Sequence, residues 1–377
     1  MRIALDAMGG DNAPFEVVWG GVVAAAKSAD EIILVGNEPD IRAALAQKHP
    51  KIKPIPDVEA LFASGKLSIE HTEESVAMDD APAAAVRRKK NCSINVCMRL
   101  VKEGKADAAV SAGNSGAMAA SALFILGRIK GVARPAIATV MPTADADRPL
   151  LLLDAGANTD CHHEWLRQFA VMGSAYSRAV LGRENPEVGL MSIGTEDCKG
   201  NEMTKHAFPL LRDFAPGINF RGNVEGHDVF GGKTDVIVCD GFVGNVILKT
   251  SESAAHAMAG WLKRILLSKF FWKMATLCLI PALKKFKRQM DPEVFGGAPL
   301  LGVPGAVIIT HGSSTYRAIH YACAAGSKAA ANNISKAIAE GIAALPEAPL
   351  DEELEAIVAH RMAPAAEPKA EPAPEAK

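Results

Sequence analysis

The sequence predicts an α/β protein: a parallel or mixed sheet, buried on both faces and flanked by helices. Three observations carry that expectation. Short Val/Ile/Leu/Ala runs alternate with stretches of helical period along most of the chain. The runs are almost continuously apolar, the pattern of strands covered on both faces. Most of them close on small, polar, glycine-containing sequences that lead directly into a helical stretch. At 377 residues, 49% hydrophobic and 22% charged, the chain can bury one large two-lobed core or two to three smaller ones. This composition excludes a disordered or fibrous protein.

In chain order, strand 2–6 (RIALD) ends in Asp6-Ala-Met-Gly-Gly-Asp-Asn, and strand 31–36 (EIILVG) follows. Strand 106–111 ends in Ser111-Ala-Gly-Asn-Ser-Gly and feeds a helix over 115–129. Strands 135–141 and 150–154 come next, the second closing on Asp154-Ala-Gly-Ala-Asn before a helix over 162–181. Strand 187–194 runs into Gly194-Thr-Glu, and strand 234–240 into Asp240-Gly-Phe-Val-Gly-Asn, with a helix over 245–267. Strand 305–310 ends in His311-Gly-Ser-Ser ahead of a helix over 313–341. The expected organisation is one two-lobed α/β unit over 1–345, with a helical hairpin at 245–290 for dimerisation and membrane contact. A short charged helix at 351–361 and an Ala/Pro/Glu/Lys tail complete 346–377; with four prolines after Met362, that tail is expected to be disordered. No internal repeat is present.

Charge is close to balanced, with 41 basic and 43 acidic residues, so nothing marks a nucleic-acid binder. The distribution is uneven. Between Trp261 and Arg288 stand eight Lys/Arg and no acidic residue, beside Trp261, Phe270, Phe271, Trp272, Leu277 and Ile280. Basic groups around aromatics are the composition of a surface-seeking amphipathic element. Breaks near Ser268 and Pro281 give two helices joined by an apolar tip. No window reaches the roughly 18 uncharged apolar residues that span a bilayer. Seven cysteines without CxxC or zinc-like spacing, together with a first segment lacking a signal core, point to a cytoplasmic protein with structural thiols.

Six polar strand-end loops suggest a cleft for a phosphate-bearing ligand. Glycine lets backbone N–H groups approach an anion, and Ser, Thr and Asn add donors. Any one such loop is more simply a tight turn; the set is not. A GxGxxG fingerprint, a P-loop, a GxSxG elbow and an HExxH helix are all missing from the sequence. His162-His163 read as two exposed polar residues opening a helix, and no metal or cofactor is expected.

The runs ALDAMGGDNAP, AVRRKKN, VSAGNSGA, GRIKG with ARPAIA, LLDAGAN, IGTEDCKGNE, GNVEG, DGFVGNVILKT, GGAPLLGV and HGSS occur in this order. Together, over roughly residues 1–340, they resemble the bacterial PlsX-type phosphate acyltransferase family. Cys198, where that family often has Lys, and the tail are the departures. The resemblance implies a homodimer with a fold like isocitrate and isopropylmalate dehydrogenases. It also implies transfer of a fatty acyl group from acyl carrier protein to inorganic phosphate. The acyl phosphate so formed would feed phospholipid synthesis, with a membrane glycerol-3-phosphate acyltransferase as consumer.

That reaction asks for positioning and oxyanion stabilisation more than for a covalent catalyst, because a thiolate leaves readily. Phosphate and substrate are expected among Asp6, Gly9, Gly10, Asp11, Ser111, Asn114, Gly194, Thr195, Asp240 and Gly241, with Asp6 and Asp154 bracing loops. Lys199 is the candidate to neutralise phosphate or oxyanion charge. Asn245 is the candidate carbonyl-oxygen donor or an N-cap, and His311 the proton donor to sulfur. Arg87, Arg88, Lys89 and Lys90 form a basic dock for acidic carrier protein or a solvated helix face. A phosphotransacetylase acting on a CoA thioester is the competing enzyme, and a non-catalytic membrane adaptor the competing scaffold.

Overall fold

The computed structural model describes residues 1–289 and 292–362. The first lobe starts with β1 (Arg2–Asp6), α1 (Phe15–Lys27), β2 (Glu31–Gly36), α2 (Glu38–Ala46), α3 (Val58–Ala63) and β3 (Leu67–His71). It continues through α4 (Pro82–Arg88), α5 (Ser93–Lys102), β4 (Ala108–Ser111) and α6 (Ser115–Ile125). Next come β5 (Ala136–Met141), β6 (Leu150–Leu153), α7 (His163–Ala179), β7 (Glu187–Met191), α8 (Glu202–Asp213), β8 (Asn219–Val224) and β9 (Val236–Val238). The chain then forms α9 (Gly241–Leu266), α10 (Phe270–Gln289), β10 (Ala298–Leu301), β11 (Ala306–Ile309), α11 (Tyr316–Ala331), α12 (Ile334–Ala343) and α13 (Asp351–Met362).

The strands form one sheet in the order β3-β2-β1-β4-β11-β10-β5-β6-β9-β7-β8. From β3 to β11 the pairing is parallel, and so it is from β6 to β8. Between these halves, β10 pairs antiparallel with β11 and β5, and β5 antiparallel with β6. The two halves therefore run in opposite directions. Side chains alternate across each strand. Ile3 and Leu5 of β1 pack with Val18, Trp19 and Val22 of α1 and Ile319 of α11, while Ala4 joins Ile94, Met98 and Met118 on the other face. In the second half Leu151 and Leu153 lie in the core with Phe169 of α7 and Phe208 of α8. Leu150, Leu152 and Ile237 form a smaller cluster against Val243 and Ile247 of α9. Each such Leu or Ile contributes on the order of 1.5–3 kcal/mol by burial, which explains the continuous apolar runs.

Four expectations change. The stretch 313–341 is two helices, because the chain turns at Asn332 and Asn333, the latter left-handed with φ 49°. The helix expected over 245–267 starts at Gly241, capped by the Asp240 carboxylate on the Val243 N–H. Asn245 is thus the fifth residue of α9, and its N-cap reading is overturned. Pro281 lies inside α10 and does not break it; its one missing hydrogen bond leaves a carbonyl that solvent can serve on an exposed helix. Finally, β3, β8 and β10 lie where no strand is expected from the sequence. The tail beyond Met362 lies outside the described residues.

Candidate functional site

The strand-end loops assemble into two groups, each fixed by register. In the first, Asp6 of β1 lies opposite Ser111 of β4, and Ser111 opposite Ile309 of β11, so the loops after these three strands emerge side by side. Ser111 Oγ donates to Asp6 Oδ2 at 2.6 Å and accepts the Gly113 N–H at 2.9 Å. Burial pushes the Asp6 carboxyl above the usual carboxylate range, against hydrogen bonds from Ser111, Ser93, Met8 and Gly9. Gly9 fits here for want of a side chain: a Cβ would stand 2.4 Å from Asp6 Oδ2 and 2.7 Å from the Gly113 nitrogen. The Asp11 N–H donates to the Gly312 carbonyl at 2.8 Å, and Asn12 Nδ2 donates to the carbonyls of Ser313 and Ser314. Gly10, with φ 108°, makes the turn between them. His311 is exposed, with Nδ1 2.8 Å from Ser313 Oγ. Asn114 is occupied at both ends: Oδ1 caps α6 on the Ala117 N–H, and Nδ2 donates to the carbonyls of Met78 and Asp80.

The second group stands at the ends of β6, β9 and β7, where Leu153 lies opposite Val238 and Leu190 opposite Val238. Asp154 is fully buried. Its carboxylate accepts the N–H groups of Ile137, Gly156, Ala157 and Asn158, and the Asn158 side-chain amide. Burial is the largest influence on it and raises its pKa despite these donors. The Asn158 carbonyl accepts the Gly241 N–H at 2.7 Å, which ties this loop to the first turn of α9. Asn245 faces Gly156: a Cβ on that glycine would lie 3.6–3.8 Å from Asn245 Cβ, Cγ and Oδ1. The turn from Gly194 through Thr195 to Lys199 closes on itself, with a Cβ at Gly194 only 2.8 Å from Lys199 Cγ. Thr195, Lys199 and Asn245 are exposed. Two thiols stand here: the exposed Cys198 beside Lys199, and Cys161, pushed up to about 12 by burial first, which supplies no thiolate near neutral pH.

β6, β7 and β9 run opposite to β1, β4 and β11, so the two groups come from halves of opposite sense, related through the accumulated twist of the sheet. By strand pairing the Gly194–Thr195 turn neighbours Asp240, Gly241 and Asn245, while Gly9–Asp11, Ser111 and Asn114 belong to the first group. Two contributors escaped the sequence reading, Asn12 and Asn158. Both sit in motifs already singled out, and each acts by bridging to a second loop, which only pairing reveals.

The basic cluster is not uniform. Arg87 lies over the Phe124 ring at 4.5 Å, while Arg88 and Lys90 are exposed. Lys89 turns inward to Asp80 at 2.7 Å and the Ser75 carbonyl at 2.9 Å, and its hydrogen bond holds the Asp80 carboxyl below its usual range. On α10, Phe270, Phe271, Trp272, Leu277 and Ile280 are 74%, 86%, 52%, 58% and 37% exposed. No described helix is long and apolar enough to cross a membrane.

Residues 1–337 match a family described as fatty acid synthesis protein. A phosphate acyltransferase of Moorella thermoacetica is 48% identical over 348 residues, covering 92% of this chain and 96% of its own. One from Nostoc punctiforme is 48% identical over 338 residues, covering 90% and 95%. Among solved structures, the EutD phosphotransacetylase of Staphylococcus aureus superposes with a TM-score of 0.56 at 17% identity, covering 88% of this chain and 94% of its own. A phosphotransacetylase of Streptococcus pyogenes gives 0.56 at 16% identity, covering 90% and 94%. These two likenesses describe a shared fold.

Proposed function

The chain belongs to the phosphate acyltransferase family, and from that premise we propose that it transfers a long-chain fatty acyl group from acyl carrier protein to inorganic phosphate, releasing acyl phosphate for phosphatidic acid synthesis. The observation that carries the reading is the second loop group. There an exposed ammonium and an exposed carboxamide, Lys199 and Asn245, lack side-chain partners among the described residues while the loops beneath them are pinned. In this reading Lys199 neutralises phosphate and Asn245 donates to the carbonyl oxygen as it gains charge. Phosphate attacks the thioester carbonyl, the tetrahedral intermediate collapses with cleavage of the C–S bond, and the carrier leaves as thiolate or, with a proton from His311, as thiol. The first group, with Gly9, Gly10, Asp11 and Ser111, contributes backbone N–H groups to an anion.

Arg87, Arg88 and Lys90 steer the acidic carrier, with Lys89 bracing the cluster through Asp80. The test compares palmitoyl-carrier protein with acetyl-CoA as donors, each with phosphate, reading acyl phosphate and free thiol. Turnover on the carrier substrate alone is expected, and Arg87→Glu/Lys90→Glu raises the apparent KM for it several-fold. Faster turnover of acetyl-CoA would instead establish the phosphotransacetylase reading, which the shared fold keeps in view.

The exposed aromatics of α10 within a cationic surround fit a cytoplasmic protein held peripherally on anionic membrane, where each basic group adds on the order of 1 kcal/mol. Exposed Phe242 and Val246 on α9 suit a homodimer contact. Acyl phosphate, greasy and labile, is best released at the bilayer to a membrane glycerol-3-phosphate acyltransferase. Flotation with vesicles containing phosphatidylglycerol is expected to carry the wild-type chain at low salt and not Phe271→Glu/Trp272→Glu. Retention of the double variant would leave α10 to dimerisation.

A further inference from the structure

Away from the strand ends, the start of α7 meets the start of α13 and the side of α8 in a cluster of imidazoles. The His162 and His163 rings lie 3.8 Å apart, and His206 of α8 stacks on His163 at 5.5 Å. Asp351, the first residue of α13, brings Oδ1 to 3.5 Å from His163 Nε2. We infer that His162, His163 and Asp351 form a binding site for a divalent transition ion of the zinc class, with His206 or water at the fourth position.

Three features support the assignment. One donor atom from each of the three residues lies within 4.8 Å of the others. Two ligands about 2.1 Å from a tetrahedral ion stand about 3.4 Å apart. The Nε2–Oδ1 separation is therefore long for a hydrogen bond and suited to two ligands sharing an ion. Secondly, the nitrogens are available. His206 Nδ1 donates to the Glu202 carbonyl at 2.7 Å, the arrangement that fixes the opposite nitrogen as the acceptor. His162 gives up only one long bond, 3.4 Å from the Glu164 N–H. Thirdly, the ligands come from separated parts of the chain and meet only in the fold, so an ion there ties α13 to α7 and stabilises by linkage. Arg361 to Asp213 and the Arg167 guanidinium to the Pro346 carbonyl already fasten this C-terminal region.

Calorimetric titration of the full-length chain with zinc chloride near neutral pH tests the site directly. Binding of one ion per chain at micromolar concentrations is expected, weakened at least tenfold by His163→Gln and by Asp351→Asn. The exposed thiols of Cys198 and Cys278 are common to all three proteins and cancel in the comparison. Should the His163 variant fail to fold, Asp351→Asn decides alone, since that carboxylate is 76% exposed. Absence of micromolar binding, or a loss smaller than tenfold in a folded variant, overturns the inference.

Discussion

Replacing Asn245 by alanine lowers turnover about a hundredfold, the usual loss when one oxyanion donor is removed, while the melting temperature stays near that of wild type. The two halves of this expectation have separate causes. Asn245 is exposed and makes no side-chain hydrogen bond among the described residues, so its removal leaves no buried group unsatisfied. The helix start does not depend on it, because Asp240 holds that cap. What disappears is a carboxamide aimed across Gly156, at the mouth of the loop that Asp154 fixes. Lys199→Ala is expected to lose a similar factor, and Lys199→Arg to recover part of it by keeping the charge. Steady-state kinetics on palmitoyl-carrier protein, beside thermal unfolding of the same samples, checks both. Near-normal turnover in both alanine variants would remove the second loop group from the chemistry and leave the site to the Asp6–Ser111–His311 loops.

The sequence makes the central strands and the polar character of their ends legible for a simple reason. A strand covered on both faces must be apolar throughout, and LLLL at 150–153 admits little else. Elements at the margins obey weaker constraints. The edge strands β3 (LSIEH) and β8 (NFRGNV) carry polar residues and a glycine, and β10 (APLL) is too short for its period to show. That short strand matters most for the site. Its antiparallel pairing, with that of β5, reverses the second half of the sheet. Strand ends read in chain order carry no direction, so the sequence does not tell that the six loops come from two halves of opposite sense. The start of α9 misleads for a different reason: Asp240-Gly-Phe-Val-Gly-Asn holds two glycines, poor helix formers, and reads as a loop. In the fold they belong to the helix because its first turn presses against backbone.

Gly244 is where that pressure is greatest, and Gly244→Ala is expected to destabilise the chain by about 3–4 kcal/mol, at the upper end of overpacking substitutions. A Cβ there would stand 1.8 Å from the Asp154 carbonyl oxygen, far inside van der Waals contact. Neither wall can retreat cheaply. On one side the Asp154 carboxylate is held by four backbone amides and the Asn158 side chain. On the other, the Asp240 cap and the bond from the Gly241 N–H to the Asn158 carbonyl hold the first turn of α9. Moving the helix away breaks those bonds and carries Asn245, the next residue, with it. Turnover is therefore expected to fall along with stability, unlike in Asn245→Ala. Gly260, on the same helix with nothing within 4 Å of its would-be Cβ, is the internal control: alanine there should stabilise by up to about 1 kcal/mol, the ordinary helix-propensity gain. Urea unfolding midpoints of the two variants separate packing from propensity. If Gly244→Ala unfolds at the wild-type midpoint, the first turn of α9 does not rest on the Asp154 loop, and the coupling of that loop to Asn245 falls with it.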